Sequence, residues 1–76
     1  MREAKAGDVC WTPFEPRKLF RVELVEPSTG VYGVTCFGHF AKDHHEGFMA
    51  GEIGRYPQKE LTPLTAKELA REGFTP

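Results

Sequence analysis

The run Gly51-Glu-Ile-Gly54-Arg-Tyr-Pro57-Gln-Lys-Glu-Leu61 constrains this chain more than any other. Two glycines three apart, a proline three further on and then an apolar residue read as a strand ending in a tight turn. A residue without Cβ permits backbone angles and close approaches that other residues block. Proline has no N–H to donate, so Pro57 belongs at a strand end or a sheet edge. The run predicts short, sharply bent β-structure. It speaks to architecture before it speaks to function.

The chain's 76 residues imply a single domain, residues 1–76. A domain of this size buries about 60–65% of its unfolded surface, so every apolar cluster counts toward its stability. The formal net charge is −1. That argues against a nucleic-acid partner, which needs a concentrated basic footprint. Cys10 and Cys36 are the two cysteines and do not form a C-x-x-C pair. A small secreted scaffold carries more of them, so two free thiols in a reducing cytoplasm are expected. No run reaches the roughly 18 apolar residues of a membrane span, and no apolar segment follows Met1-Arg-Glu-Ala-Lys5 to suggest a secretory signal.

Residues 1–6 read as a loose lead-in. Gly7-Asp8 marks a turn, and Val9-Cys10-Trp11 starts a strand with Val9 and Trp11 on one face. Pro13 and Pro16 end it in a loop running through Lys18. Residues 19–26 form the clearest strand, with Phe20, Val22 and Leu24 alternating against Arg21 and Glu23. Pro27-Ser-Thr-Gly30 suits a four-residue turn into a strand over 31–37. That register sets Leu24 opposite Gly33, whereas a three-residue loop pairs Leu24 with Val34 and gives a uniform apolar face. A β-bulge near Tyr32-Gly33 reconciles the two. Residues 38–50 read as a long loop, 51–56 as a strand with Ile53 inward, 58–61 as one turn of 3₁₀ helix and 61–64 as a last short strand. Thr65-Ala-Lys-Glu68 is a capping box that opens a helix over 66–72, and Gly73 ends it. Two helical turns are unstable alone, so Leu69 must dock on the rest, with Phe74 beside it.

Five short strands with a 3₁₀ turn before the last make a small bent barrel over 7–64. Gly7-Asp8-Val9 resembles the G-D-apolar segment that leads into the second strand of the Src-homology-3 fold. Gly51-x-x-Gly54-x-x-Pro57-x-x-x-Leu61 is similar to the run that closes that fold. The likeness covers residues 7–61. It implies a mainly β, five-stranded Src-homology-3-like barrel with a short C-terminal helix. The peptide-binding members of the family have an aromatic, acidic first segment and paired tryptophans, both missing here. Glu60 stands where they place a tyrosine, so Pro57, with Tyr56 beside it, is all that carries over from their groove. Tudor-like and KOW-like barrels share the scaffold, and a fold hosts many functions.

The chemistry-bearing residues are few. His39, Asp43, His44, His45 and Glu46 gather imidazole and carboxylate groups that suit zinc or nickel. Their H-x₄-H-H spacing is no recognised structural set, and adjacent histidines point apart in an extended chain. A closed zinc site also needs four ligands. A proton-sensitive polar loop with no metal is the simpler reading. Nucleotide-binding and hydrolase signatures are missing. Cys36 lies on an apolar strand face, where a thiol without a basic neighbour is inert, so no catalysis is expected. Aromatic rings exceed what so small a core can enclose. Phe14, Phe40 and Phe48 fall in loops close to Tyr56 and Pro57, and together they suggest a patch that binds protein or a second copy of the chain. The expected role is a non-catalytic adaptor. The alternatives are a nucleic-acid barrel using Arg17, Lys18, Arg21, Lys42 and Arg55, or a metal- or pH-responsive loop at His39, His44 and His45.

Overall fold

In a computed structural model, the described residues are 3–27, 31, 33–43 and 49–74. They form five antiparallel strands, β1 (Val9–Trp11), β2 (Leu19–Glu26), β3 (Thr35–Phe40), β4 (Ile53–Pro57) and β5 (Thr62–Pro63). A 3₁₀ turn, Gln58–Glu60, joins β4 to β5, and a helix, α1 (Ala66–Glu72), follows. The strands lie in one open sheet in the order β4-β3-β2-β1-β5.

Parity along β3 and β4 sets the inner face. Cys36, Gly38 and Phe40 point in from β3 and face Tyr56 and Gly54 on β4. Phe20 and Val22 from β2, Cys10 from β1, Ala4 and Leu61 complete this core, with Phe14, Val25 and Tyr56 at its margin. Gly38 and Gly54 are cross-strand partners. A Cβ on Gly38 would run into the Arg21 backbone carbonyl, and one on Gly54 would meet Tyr56 Cε2 at 3.0 Å and Phe20 Cε1 at 3.4 Å. The two glycines leave a slot in the sheet, and the Phe20 ring fills it. Aromatic rings cover cross-strand glycines in this way elsewhere, restoring packing that the missing side chains forfeit.

The opposite face is covered at one end. Val9, Leu19 and Leu64 are buried there beneath Leu69 and Phe74, with Trp11 and Ala41 packed alongside. The sequence-based expectations that Val9 and Trp11 share a strand face and that Leu69 docks the helix both hold. The capping box is complete: Thr65 Oγ1 accepts from Glu68 N at 3.2 Å, and Glu68 Oε1 accepts from Thr65 N at 3.0 Å. Gly73 closes the helix at φ 86°. Trp11 Nε1 donates to Glu68 Oε2 at 3.2 Å, tying the cap to β1.

Three expectations need correction. The lead-in is not loose at Ala4, which is fully buried and whose carbonyl accepts from Gln58 Nε2 at 2.8 Å. The hairpin has no four-residue turn: Glu26 pairs with Thr35, so residues 27–34 connect the strands. That shift moves β3 to 35–40 and carries Phe40 into the core against Phe20, ring centroids 5.5 Å apart. Burying a large ring outweighs the local preference for a tight turn. The irregularity sits between Val22 and Leu24, not near Gly33, and Tyr32 lies outside the described residues. The extra residue reverses the parity of β2, so Val25 packs on the core while Leu24 is 52% exposed.

Candidate interaction surface

The structure gathers three of the five residues expected to bind a partner, but turns them inward. Phe14 meets the Tyr56 ring edge-on at 5.6 Å, and Tyr56 meets Phe20 at 5.1 Å and Phe40 at 6.4 Å. Phe40 was expected on a loop. It ends β3 and is 2% exposed, so its ring is core and not a contact surface. Phe14 and Tyr56 are half-buried and form the rim of that core. Burial, and then the nearby Glu52 carboxylate, raise the Tyr56 hydroxyl above the ordinary tyrosine range. Pro57 ends β4 opposite Thr35. Phe48 lies outside the described residues.

Among the described residues, the outer face of β2, β3 and β4 carries exposed apolar side chains beyond the part that the helix covers. Its cross-strand rows run Arg21–His39–Ile53 and Leu24–Phe37–Arg55. Ile53 is 68% exposed, Leu24 lies beside Phe37, and the Phe37 ring is half-buried. Charged groups frame these residues in pairs. Arg55 Nε donates to Glu26 Oε1 at 2.7 Å while its guanidinium lies 5.4 Å above the Phe37 ring. His39 Nδ1 lies 2.9 Å from Glu23 Oε1, on the residue that the bulge inserts. Arg21 donates to the Gly7 carbonyl at 3.2 Å and stacks 5.8 Å from the Phe74 ring, where the helix-covered region ends. An ion pair and a polar pair thus border the exposed apolar side chains, as a polar rim borders the apolar centre of a protein contact surface. The residues that sequence reasoning missed here are Leu24 and Ile53. Strict alternation sent Leu24 inward, and Ile53 was assigned to the core.

The other site residues are dispersed. His39 faces Glu23, whereas His44 and His45 lie outside the described residues. Among the described residues there is no cluster of three or more metal-ligating side chains. The five cations expected to contact phosphate do not share one exposed surface. Lys18 is 3% exposed and its ammonium reaches the Pro16 carbonyl, Arg17 lies 4.6 Å over the Trp11 ring, and Lys42 lies 3.5 Å from Glu72. Cys10 and Cys36 are free and buried. Burial, and then Asp8, raise the Cys36 thiol above its usual range, which disfavours the nucleophilic thiolate. A shallow depression of about 220 Å³ between Val34 and Lys59 and another of about 290 Å³ between Glu3 and Lys5 meet at Gln58. No helix among the described residues is long and apolar enough to cross a membrane. Compared with known proteins, the chain matches no family model, no curated protein and no solved structure.

Proposed function

We propose that this chain is a non-catalytic protein-interaction domain on a Src-homology-3-like scaffold, working in the cytoplasm. The scaffold reading is supported by the 3₁₀ turn between β4 and β5 and by the pairing of the first strand with the last. Two buried free thiols suit a reducing compartment. The observation that carries the functional reading is the apolar region of Leu24, Phe37 and Ile53 beyond the end of α1. Half of one sheet face is sealed by the helix, and the other half offers side chains that a partner would take out of water. Burying such side chains drives association, while the flanking pairs Arg55–Glu26 and His39–Glu23 fix orientation at the rim. This region replaces the inward-turned aromatic patch as the binding surface.

The test is capture of partners from host lysate, with and without nuclease treatment, by the wild-type chain and by Leu24→Asp, with far-ultraviolet dichroism as the check on folding. Wild-type capture that Leu24→Asp abolishes supports the reading. Capture unchanged in Leu24→Asp refutes it. Capture that disappears on nuclease treatment points instead to nucleic acid, whose binding falls steeply with salt.

A further inference from the structure

The outer edge of β4 is built to pair with a strand, and its residue order fits its own copy. Phe40 N donates to Glu52 O, and Gln58 N donates to Val34 O, each at 2.9 Å. These bonds bracket β4 and assign its even-numbered residues to hydrogen-bonded pairs with β3, because bonded and non-bonded pairs alternate along an antiparallel ladder. Ile53 and Arg55 therefore aim their N–H and C=O groups off the edge. Among the described residues β4 has a strand neighbour on one side only. The other end of the sheet offers no equivalent template, since β5 is two residues long and one of them is Pro63.

We propose that two copies of this chain associate by antiparallel pairing of β4 with β4, about a two-fold axis through Gly54. This names a second copy as the occupant of the β4 edge that borders that region, and it rests on the proposed interaction role. In this register Ile53 of each copy exchanges both backbone hydrogen bonds with Arg55 of its mate. Gly54 meets its mate's Gly54 at a non-hydrogen-bonded position, where strands come closest and a missing Cβ leaves room. On the outer face, exposed Ile53 lies against the stem of the mate's Arg55. The Arg55 charge is already engaged by Glu26, so the two arginines of the dimer do not meet as bare cations. On the inner face Glu52 stands opposite the mate's Tyr56, a carboxylate acceptor facing a phenol donor. One strand centred on Arg55 instead would set arginine directly opposite arginine and use the carbonyl of Pro57, which has no N–H to return. The short strand limits the contact to four backbone hydrogen bonds, so the dimer is weak and concentration-dependent.

The charge series at position 53 tests this register. Ile53→Lys sets like charges opposite each other across the pair, and Ile53→Glu sets a carboxylate opposite Arg55. Sedimentation of the wild-type chain over rising concentration should show a monomer–dimer equilibrium. Ile53→Lys should weaken it at least tenfold, and Ile53→Glu should hold or tighten it. Amide exchange in the wild-type chain should slow at Ile53 and Arg55 as concentration rises, and stay unchanged at Gly54 and Tyr56. A monomer at every concentration overturns the proposal, as does dimerisation without protection at Ile53 and Arg55. Equal weakening by both substitutions overturns it too, because it signals apolar contact without strand pairing. None of these results touches the lysate capture lost in Leu24→Asp, so the two readings fail separately.

Discussion

Replacing Gly38 and Gly54 by alanine, one at a time, separates two kinds of crowding in the same slot. At Gly54 the new Cβ meets the Tyr56 ring at 3.0 Å and Phe20 Cε1 at 3.4 Å, the first at the margin of the core and the second fully buried in it. The nearer ring, Tyr56, can tilt. Overpacking of this kind costs roughly 1–3 kcal/mol. Alanine also narrows the unfolded ensemble, which returns about 0.4–1 kcal/mol. The net loss for Gly54→Ala is roughly 0–2.6 kcal/mol by those two terms, with a midpoint of about 1.3 kcal/mol. At Gly38 the obstacle is the Arg21 carbonyl, a backbone group of the neighbouring strand. It cannot move without opening the β2–β3 ladder between Val22↔Gly38 and Arg21↔His39. A loss of about 4 kcal/mol or more is expected, in the range reserved for broken backbone geometry. A domain of 76 residues holds about 4–11 kcal/mol in all, so Gly38→Ala removes most of the lower estimate.

The assay is urea and thermal unfolding followed by the fluorescence of Trp11, the single tryptophan, which sits beneath α1. At roughly 4–8 °C per kcal/mol, Gly54→Ala should lower the midpoint by roughly 10 °C and keep a cooperative transition. Gly38→Ala should show no cooperative transition at room temperature, or one displaced far below that of Gly54→Ala. A Gly38→Ala chain within about 0.5 kcal/mol of wild type, the scatter of surface substitutions, would refute the argument. So would the reverse order of the two variants, which would mean that the rings and not the strand spacing set the limit.

Four further outcomes follow from the same packing. Phe40→Ala should cost about 3–5 kcal/mol as a buried ring, whereas Ile53→Ala should stay within about 0.5 kcal/mol; urea midpoints of the pair decide which side chain faces the core and which faces water. Thr65→Ala should destabilise by about 1 kcal/mol through loss of the cap, read by Trp11 emission. The Glu68 carboxyl is held below its usual range by the Thr65 backbone N–H and then by the Trp11 N–H, so its folded form binds a proton less readily than its unfolded form. Its stabilising effect is therefore present above the unfolded carboxylate value and is lost as pH falls through the folded one, and a Trp11 emission change that persists unaltered in Glu68→Gln would exclude this source. Cys36 is shifted the other way. Its contribution holds below the unfolded thiol value and is lost as pH rises through the raised one, and thiol alkylation should need unfolding first, as a quench of reactivity in buffer against rapid labelling in urea would show.

Much of the fold was legible because it is local. The Thr65–Glu68 box, Gly73, the strand over 19–26 and the 3₁₀ turn after Pro57 are each dictated within a few residues. The connection from β2 to β3 was not, because Pro27 and Gly30 advertise a tight turn while the register answers to Phe40, ten residues beyond Gly30. The bulge at Glu23 carries no local marker either. No glycine sits there, and its effect, Leu24 outward and Val25 inward, depends on which rings β3 supplies. The candidate site inherited both errors. With Phe40 counted as a loop residue, the aromatic surplus seemed large, and the core that consumes it was invisible. Leu24 and Ile53 were hidden by the same mistake in parity.

That parity links core to surface more tightly than a list of exposed residues suggests. Phe20 needs a slot without side chains, and Gly38 and Gly54 supply it on the inner face. Alternation then sends Phe37, His39, Ile53 and Arg55 outward without further instruction. The same phase decides the backbone, because in β4 the inward-facing residues are those that bond to β3 and the outward-facing ones are left toward the edge. The exposed apolar face and the unpaired edge are consequently one choice. A substitution that shifted β4 by one residue would bury Ile53 and Arg55, expose Gly54 and Tyr56, empty the Phe20 slot and exchange the backbone groups at the edge together. The proposed interaction surface cannot be lost by such a slip while the core survives. It can be lost alone only through side chains, which is why the charge series at position 53, in a chain that still folds, reads function and not stability.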